Sequence, residues 1–107
     1  MKLVGTLEQN IYIPTSIVYM NDFKDEFVDK LLKIRDEVED RYGVMPTLAM
    51  SQNTFAWFKR LFKADSTWIE TIDRTSFWLM NIVTLDMRNG LFDFYVEDDR
   101  SGGGLAE

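Results

Sequence analysis

The sequence predicts an α+β fold of two layers, in which two helices pack on one face of a curved, mostly antiparallel sheet. Residues 21–42 and 52–63 each show an apolar face with the helical period, and most other apolar runs have the character of strands. Both helices are apolar on one side only, so a single sheet face is enough to bury them. We interpret residues 1–100 as one domain and the glycine-rich residues 101–107 as a flexible tail.

Composition and charge exclude several classes of function. The chain of 107 residues has no cysteine, no histidine and a net charge of −6. Disulfides, thiolate chemistry and the usual zinc ligands are therefore excluded, and we expect no cofactor. The acidic surplus disfavours binding to duplex nucleic acid or to anionic lipid, because both need an excess of Lys and Arg. No apolar run approaches the ~18 residues of a membrane span, so we expect a protein of the cytoplasm or of a virion.

Residues 21–42 contain the clearest helix. Its apolar side chains recur every three or four positions, at Phe23, Phe27, Leu31, Ile34, Val38 and Tyr42. We expect Asn21 or Asp22 to cap its first turn and Gly43 to end it in the left-handed conformation. Its outer face carries an acidic cluster of Asp36, Glu37, Glu39 and Asp40. These carboxylates form either a solvated helix face or a contact surface for a basic partner.

A second helix is predicted over residues 52–63, after a short buried strand at residues 46–51 and a cap at Ser51 or Asn53. Its inner stripe consists of Phe55, Phe58, Leu61 and Phe62. A basic cluster lies outside this stripe or at its margin: Trp57, Lys59, Arg60 and Lys63. The cations suit the negative end of the helix dipole. Alternatively the cluster is an interaction site, because Trp and Arg are enriched among interface anchors.

The remaining segments are predicted to be strands. Two short strands are expected within residues 3–19, where Pro14 confines the second to a sheet edge or a bend. A further strand is expected within residues 65–75, where the alternative is one helical turn capped by Ser66. The Asn-Gly pair at residues 89–90 lies between two apolar runs and predicts a type I′ hairpin turn, because glycine and asparagine tolerate the positive φ that this turn requires.

In this hairpin, Asp86 directly faces Asp93 on the polar side. Like charges in that position destabilise a sheet by up to ~1 kcal/mol, and Arg88 is expected to bridge both carboxylates. Two alternatives are a divalent cation bound by the pair and a proton shared between them. An open sheet face offers no enclosing wall, so we interpret the pair as the solvated side of a hairpin and predict no catalytic residue.

The succession YGVMPTLAMSQNTFAWFKRLF, followed by NIVTLDMRNGLFDFYV, resembles part of a tailed-phage major capsid protein. That family places a Pro-Thr-apolar strand ending near Met-Ser after a helix, then a short Trp-containing helix and a β segment. This chain is far shorter than a full capsid protein and lacks a recognisable extended loop or arm. The resemblance implies a structural, non-enzymatic role and carries over no catalytic residue.

Three hypotheses for function stay open. The first is a non-enzymatic interaction or assembly protein, of the phage structural kind, which binds a protein partner or itself. The second is a small acidic protein that inhibits a basic host target. The third is an enzyme that depends on carboxylates or a divalent metal at Asp86 and Asp93. We favour the first and expect no enzymatic activity.

Overall fold

A computed structural model describes residues 1–11 and 17–97, with the backbone alone for residues 17–20. The elements are β1 (Lys2–Glu8), α1 (Ile17–Tyr42), β2 (Thr47–Met50), α2 (Gln52–Phe62), β3 (Trp68–Glu70), β4 (Thr75–Phe77), β5 (Met80–Thr84) and β6 (Leu91–Val96). The strands form one sheet in the order β1-β6-β2-β5-β4-β3. Among these neighbours β2 and β5 run parallel, and the other pairs are antiparallel. The predicted α+β class with a mostly antiparallel sheet is confirmed.

Both helices pack on one face of the sheet. Alternate strand residues point to that face and are buried: Leu48, Met50, Phe77, Met80, Ile82, Phe92 and Phe94. The helices bury Phe27 and Leu31 of α1 and Trp57, Phe58, Leu61 and Phe62 of α2 against them. Aromatic rings fill much of the space between the layers, as where Phe58 meets Phe77 edge to face at 5.3 Å. The other face of the sheet carries no helix within the described residues.

Helix α1 begins earlier than the sequence predicts. It starts at Ile17, so Asn21 and Asp22 are exposed residues inside the helix and the predicted cap is wrong. The β-branched residues at 17 and 18 favour strands only weakly, and the helix extends through them. The rest of the predicted second strand, with Pro14, lies outside the described residues, as does the tail at 101–107. Gly43 has φ +76° and ends the helix as expected.

Three further predictions from the sequence are confirmed. Strand β2 falls inside the predicted range, and a strand forms at Trp68–Glu70 within the segment 65–75. Ser51 caps α2, and its hydroxyl accepts a hydrogen bond from the Thr54 N–H at 3.1 Å. Asn53, the alternative cap, lies inside the helix.

The prediction of a hairpin at residues 89–90 is wrong. Strand β2 lies between β5 and β6, with Ala49 paired to Val83 on one side and to Asp93 on the other. Leu48, Ala49 and Met50 are all fully buried, and a strand that is apolar on both faces is most stable at the centre of a sheet. Gly90 does have φ +84°, but Asn89 does not have positive φ, so a type I′ turn does not form.

The chain makes its tight hairpin between β4 and β5 instead. Phe77 pairs with Met80, which leaves a two-residue turn of Trp78 and Leu79. Both have positive φ, 50° and 70°, as a type I′ turn requires. Bulky residues rarely adopt this conformation, which costs about 1–3 kcal/mol where it is enforced. The surrounding contacts of the turn must therefore hold it in place.

Candidate functional site

The basic cluster predicted on α2 does not form an exposed anchor. Trp57 is only 5% exposed, and its ring packs on Phe27 at 5.6 Å, so its predicted surface position is wrong. The buried stripe of α2 runs through residues 54, 57, 58, 61 and 62, which fits the helical period with Trp57 inside. Lys59 forms an ion pair with Glu70 at 3.0 Å. Arg60 and Lys63 are exposed.

The acidic cluster on the C-terminal half of α1 is exposed, as the sequence predicts. Asp36, Glu37, Glu39 and Asp40 all lie at the surface. Asp36 accepts hydrogen bonds from Arg35 at 2.8 and 3.0 Å. The cluster has the geometry of a solvated helix face, and its binding of a basic partner stays a prediction.

Asp86 and Asp93 are not brought together, because β2 separates their strands. Asp93 accepts a 2.9 Å hydrogen bond from the Thr6 hydroxyl, and Asp86 lies beyond the end of β5. Arg88 forms an ion pair with Glu8 and does not bridge the two aspartates. In the described part of the chain, no group of three or more Asp or Glu side chains is placed to hold a metal ion. The carboxylate pair on which the enzyme hypothesis depended does not form.

The structure assembles a different set of side chains around a cleft of about 380 Å³ between α1, the end of α2 and the β4–β5 turn. We call it the acidic cleft; its lining residues are Lys24, Asp25, Val28, Asp29, Phe62, Asp65 and Trp78. Phe62, which is almost fully buried, and the half-buried Trp78 provide an aromatic floor. Asp25, Asp29 and Asp65 provide three carboxylates, so the lining carries more negative than positive charge.

None of these three carboxylates forms an ion pair with another described residue; the pairs that form are Arg35–Asp36, Lys59–Glu70 and Arg88–Glu8. Lys24 turns to the aromatic floor, with its Nζ 5.6 Å from the centre of the Phe62 ring. In the same way, the Arg35 Cζ lies 6.0 Å from the centre of the Trp78 ring. The π faces of both floor residues thus already attract a cation from α1.

Local structure explains how the chain places these groups. Asp25, Val28 and Asp29 lie within four positions on α1, so they share one side of the helix. Asp65 is fixed by its backbone, which donates to the Phe62 carbonyl at 2.9 Å and accepts from the Trp68 N–H at 3.0 Å. Trp78 is fixed by the strained β4–β5 turn.

A second cleft of about 440 Å³ lies at the start of α2, beyond the ends of β2 and β5. Ser51, Thr84, Asp86 and Asn89 are among its lining residues. Two of its polar residues are linked by short contacts: the Ser51 Oγ lies 2.7 Å from Asn89 Oδ1 and 2.8 Å from Thr54 Oγ1, which accepts from the Gly90 N–H at 3.0 Å. These bonds tie the 89–90 turn to α2, so Ser51 and Asn89 have a structural role in this cleft.

Comparison with models of known protein families, with curated proteins and with solved structures gave no match. The resemblance to a phage capsid protein therefore stays a prediction. Among the described helices, none combines the length and the apolar character that crossing a membrane requires.

The sequence reasoning missed the acidic cleft. Its carboxylates come from two segments, and Trp78 lies in the apolar run that precedes the Asn-Gly pair. The available signal was the spacing of Asp25 and Asp29 beside the apolar face of α1. That spacing does not show which aromatic residue lies opposite.

Proposed function

We propose that the protein is a non-enzymatic interaction domain that binds a cationic segment of a protein partner at the acidic cleft. The observation that carries this proposal is the set of three carboxylates, without ion-pair partners among the described residues, around an aromatic floor. Aromatic faces and carboxylates both attract Lys and Arg side chains. The net charge of −6 would also accelerate encounter with a basic partner. This proposal corresponds to the acidic binding protein among the sequence hypotheses.

The first test is a titration of the full chain with a hexalysine peptide, followed by ¹H–¹⁵N NMR, with hexaglutamate as the charge-reversed control. We expect hexalysine to shift backbone resonances at residues 24–29, 62–65 and 78–79, and hexaglutamate to leave them in place. Shifts spread evenly along all acidic surfaces, or no shifts, would overturn the proposal.

A matched pair of variants separates the cleft from general electrostatics. Asp29→Asn and Asp40→Asn remove the same charge from exposed positions of one helix, and Asp40 lies about 16 Å further along α1. We expect Asp29→Asn to weaken hexalysine binding by about two- to fivefold, the range of a single exposed ion pair. Asp40→Asn should have a smaller effect. Equal weakening by both variants would contradict binding at the cleft.

Self-association is a second candidate, and one observation favours it. On the sheet face without helices, Leu3 of the edge strand β1 and Ile69 of the edge strand β3 are each about half exposed. Edge strands and exposed apolar residues are common contacts between copies of a chain. Light scattering after size-exclusion chromatography over a wide concentration range tests it. Self-association is supported if the wild type forms an oligomer that dissociates in Leu3→Lys or Ile69→Lys but persists in Ile72→Lys, a control in the exposed β3–β4 loop. A monomer at every concentration would overturn it.

A further inference from the structure

We infer that the acidic cleft is a seat for one long cationic side chain of the partner, a lysine or an arginine, in the position that Lys24 occupies in the free protein. The inference rests on the proposed function and specifies what the cleft recognises. Its starting point is that a cation of the chain already lies on the floor, within the ~6 Å range of a cation–π contact.

The shape of the site favours a side chain over a metal ion. The described carboxylates do not converge into a group that could hold a metal ion. Instead Asp25, Asp29 and Asp65 all line the cleft, so an ammonium or guanidinium group bound there would have carboxylate oxygens nearby as acceptors for its N–H donors. The volume of about 380 Å³ lies near the lower end of ligand pockets, which span ~300–1,000 Å³.

The apolar part of the lining suits the stem of such a side chain. Val28 and Trp78 are half-buried and border the cleft beside the Phe62 ring. Lys and Arg commonly lay their methylene groups along such surfaces while the charged head contacts carboxylates or water. A short cation would reach the carboxylates without covering this apolar surface.

Lys24 then competes with the partner's side chain for the position over the Phe62 ring. It is half-buried and has no ion-pair partner among the described residues, so a change of side-chain rotamer is enough to release it. The affinity for the partner is lowered by the fraction of molecules in which Lys24 covers Phe62. A long uncharged residue in place of Lys24 would still cover the Phe62 ring and hinder the partner's side chain. A short residue at this position would leave the ring accessible.

The test measures hexalysine affinity for Lys24→Ala, Lys24→Met and Lys33→Ala by NMR titration at constant salt. Lys33 is an exposed lysine on the opposite side of α1, so its removal controls for the change in net charge. We expect Lys24→Ala to bind hexalysine about two- to fivefold more tightly than Lys33→Ala, the equivalent of one exposed cation–π contact. Lys24→Met should resemble Lys33→Ala.

A second readout is independent of charge. In the wild-type protein, the ring current of Phe62 should shift the Lys24 Hε resonances upfield, and hexalysine should return them toward their usual position. Equal affinity for Lys24→Ala and Lys33→Ala, with hexalysine still shifting cleft resonances, would overturn this inference and leave the proposed function standing. If hexalysine shifts no cleft resonance in any variant, both this inference and the proposed function are overturned.

Discussion

The guanidinium group of Arg35 donates a 2.9 Å hydrogen bond to the main-chain carbonyl of Trp78, 43 positions further along the chain. The same group lies over the Trp78 ring and also donates to Asp36. Arg35 is 15% exposed, so water competes little for these contacts. It thereby ties the C-terminal half of α1 to the strained β4–β5 turn, which contributes Trp78 to the floor of the acidic cleft.

Arg35→Met should destabilise the protein by about 1–2 kcal/mol, because a partly buried carbonyl loses a charged donor while the aliphatic packing is largely kept. Urea unfolding measures the change. Arg41→Met on the exposed surface of the same helix is the control and should change the free energy of unfolding by less than about 0.5 kcal/mol. Equal effects would show that Arg35 does not secure the turn.

Leu79→Gly should stabilise the protein by about 1 kcal/mol. Leu79 has φ 70° and is 70% exposed, so glycine relieves backbone strain while little buried surface is lost. Thermal unfolding measures the effect. Leu85→Gly is the matched control, since Leu85 is exposed without positive φ, and it should lower the melting temperature. A lower melting temperature for Leu79→Gly would mean that the turn is not strained.

The elements of this fold were largely predictable, whereas the order of its strands was not. The period of α1 and the Ser51 cap are local signals, and both appear in the structure. The pairing of β2 between β5 and β6 depends on burying Leu48, Ala49 and Met50 from both faces. That is a contact between distant segments, and it outweighed the local preference of Asn-Gly for a hairpin turn.

The acidic cleft was unpredictable for the same reason. The predicted pairing of Asp86 with Asp93 assumes a local hairpin, whereas β2 lies between their two segments and separates them. Trp78 reached the cleft through a positive-φ turn that its residue types disfavour. Sequence patterns thus identified exposed charges correctly but could not show which of them meet an aromatic ring.

Gly5→Ala should destabilise the protein by about 1–3 kcal/mol, the range for overpacking. A Cβ at Gly5 would lie 2.8 Å from Ile34 Cγ2, where α1 crosses the β-bulge of β1. Ile34→Ala removes the clashing methyl group, so the double variant should be more stable than the two single effects predict. Urea unfolding of all four proteins gives the coupling energy. Additive effects would show that Gly5 is not required for the close approach of α1.

The exposed Glu70 gives the protein a local dependence on pH. Its pKa lies below the usual 4.5, chiefly because it accepts hydrogen bonds from Lys59 and from the Trp68 indole N–H. Since the folded pKa is lowered, the stabilisation is complete above pH 4.5 and is lost as the pH falls through the folded pKa. Lys59→Met should raise the Glu70 pKa toward 4.5, which carboxyl NMR titration measures. Lys63 acts on Glu70 only through space, so Lys63→Met should raise that pKa less; equal shifts would mean that the Lys59 hydrogen bond is not the main cause.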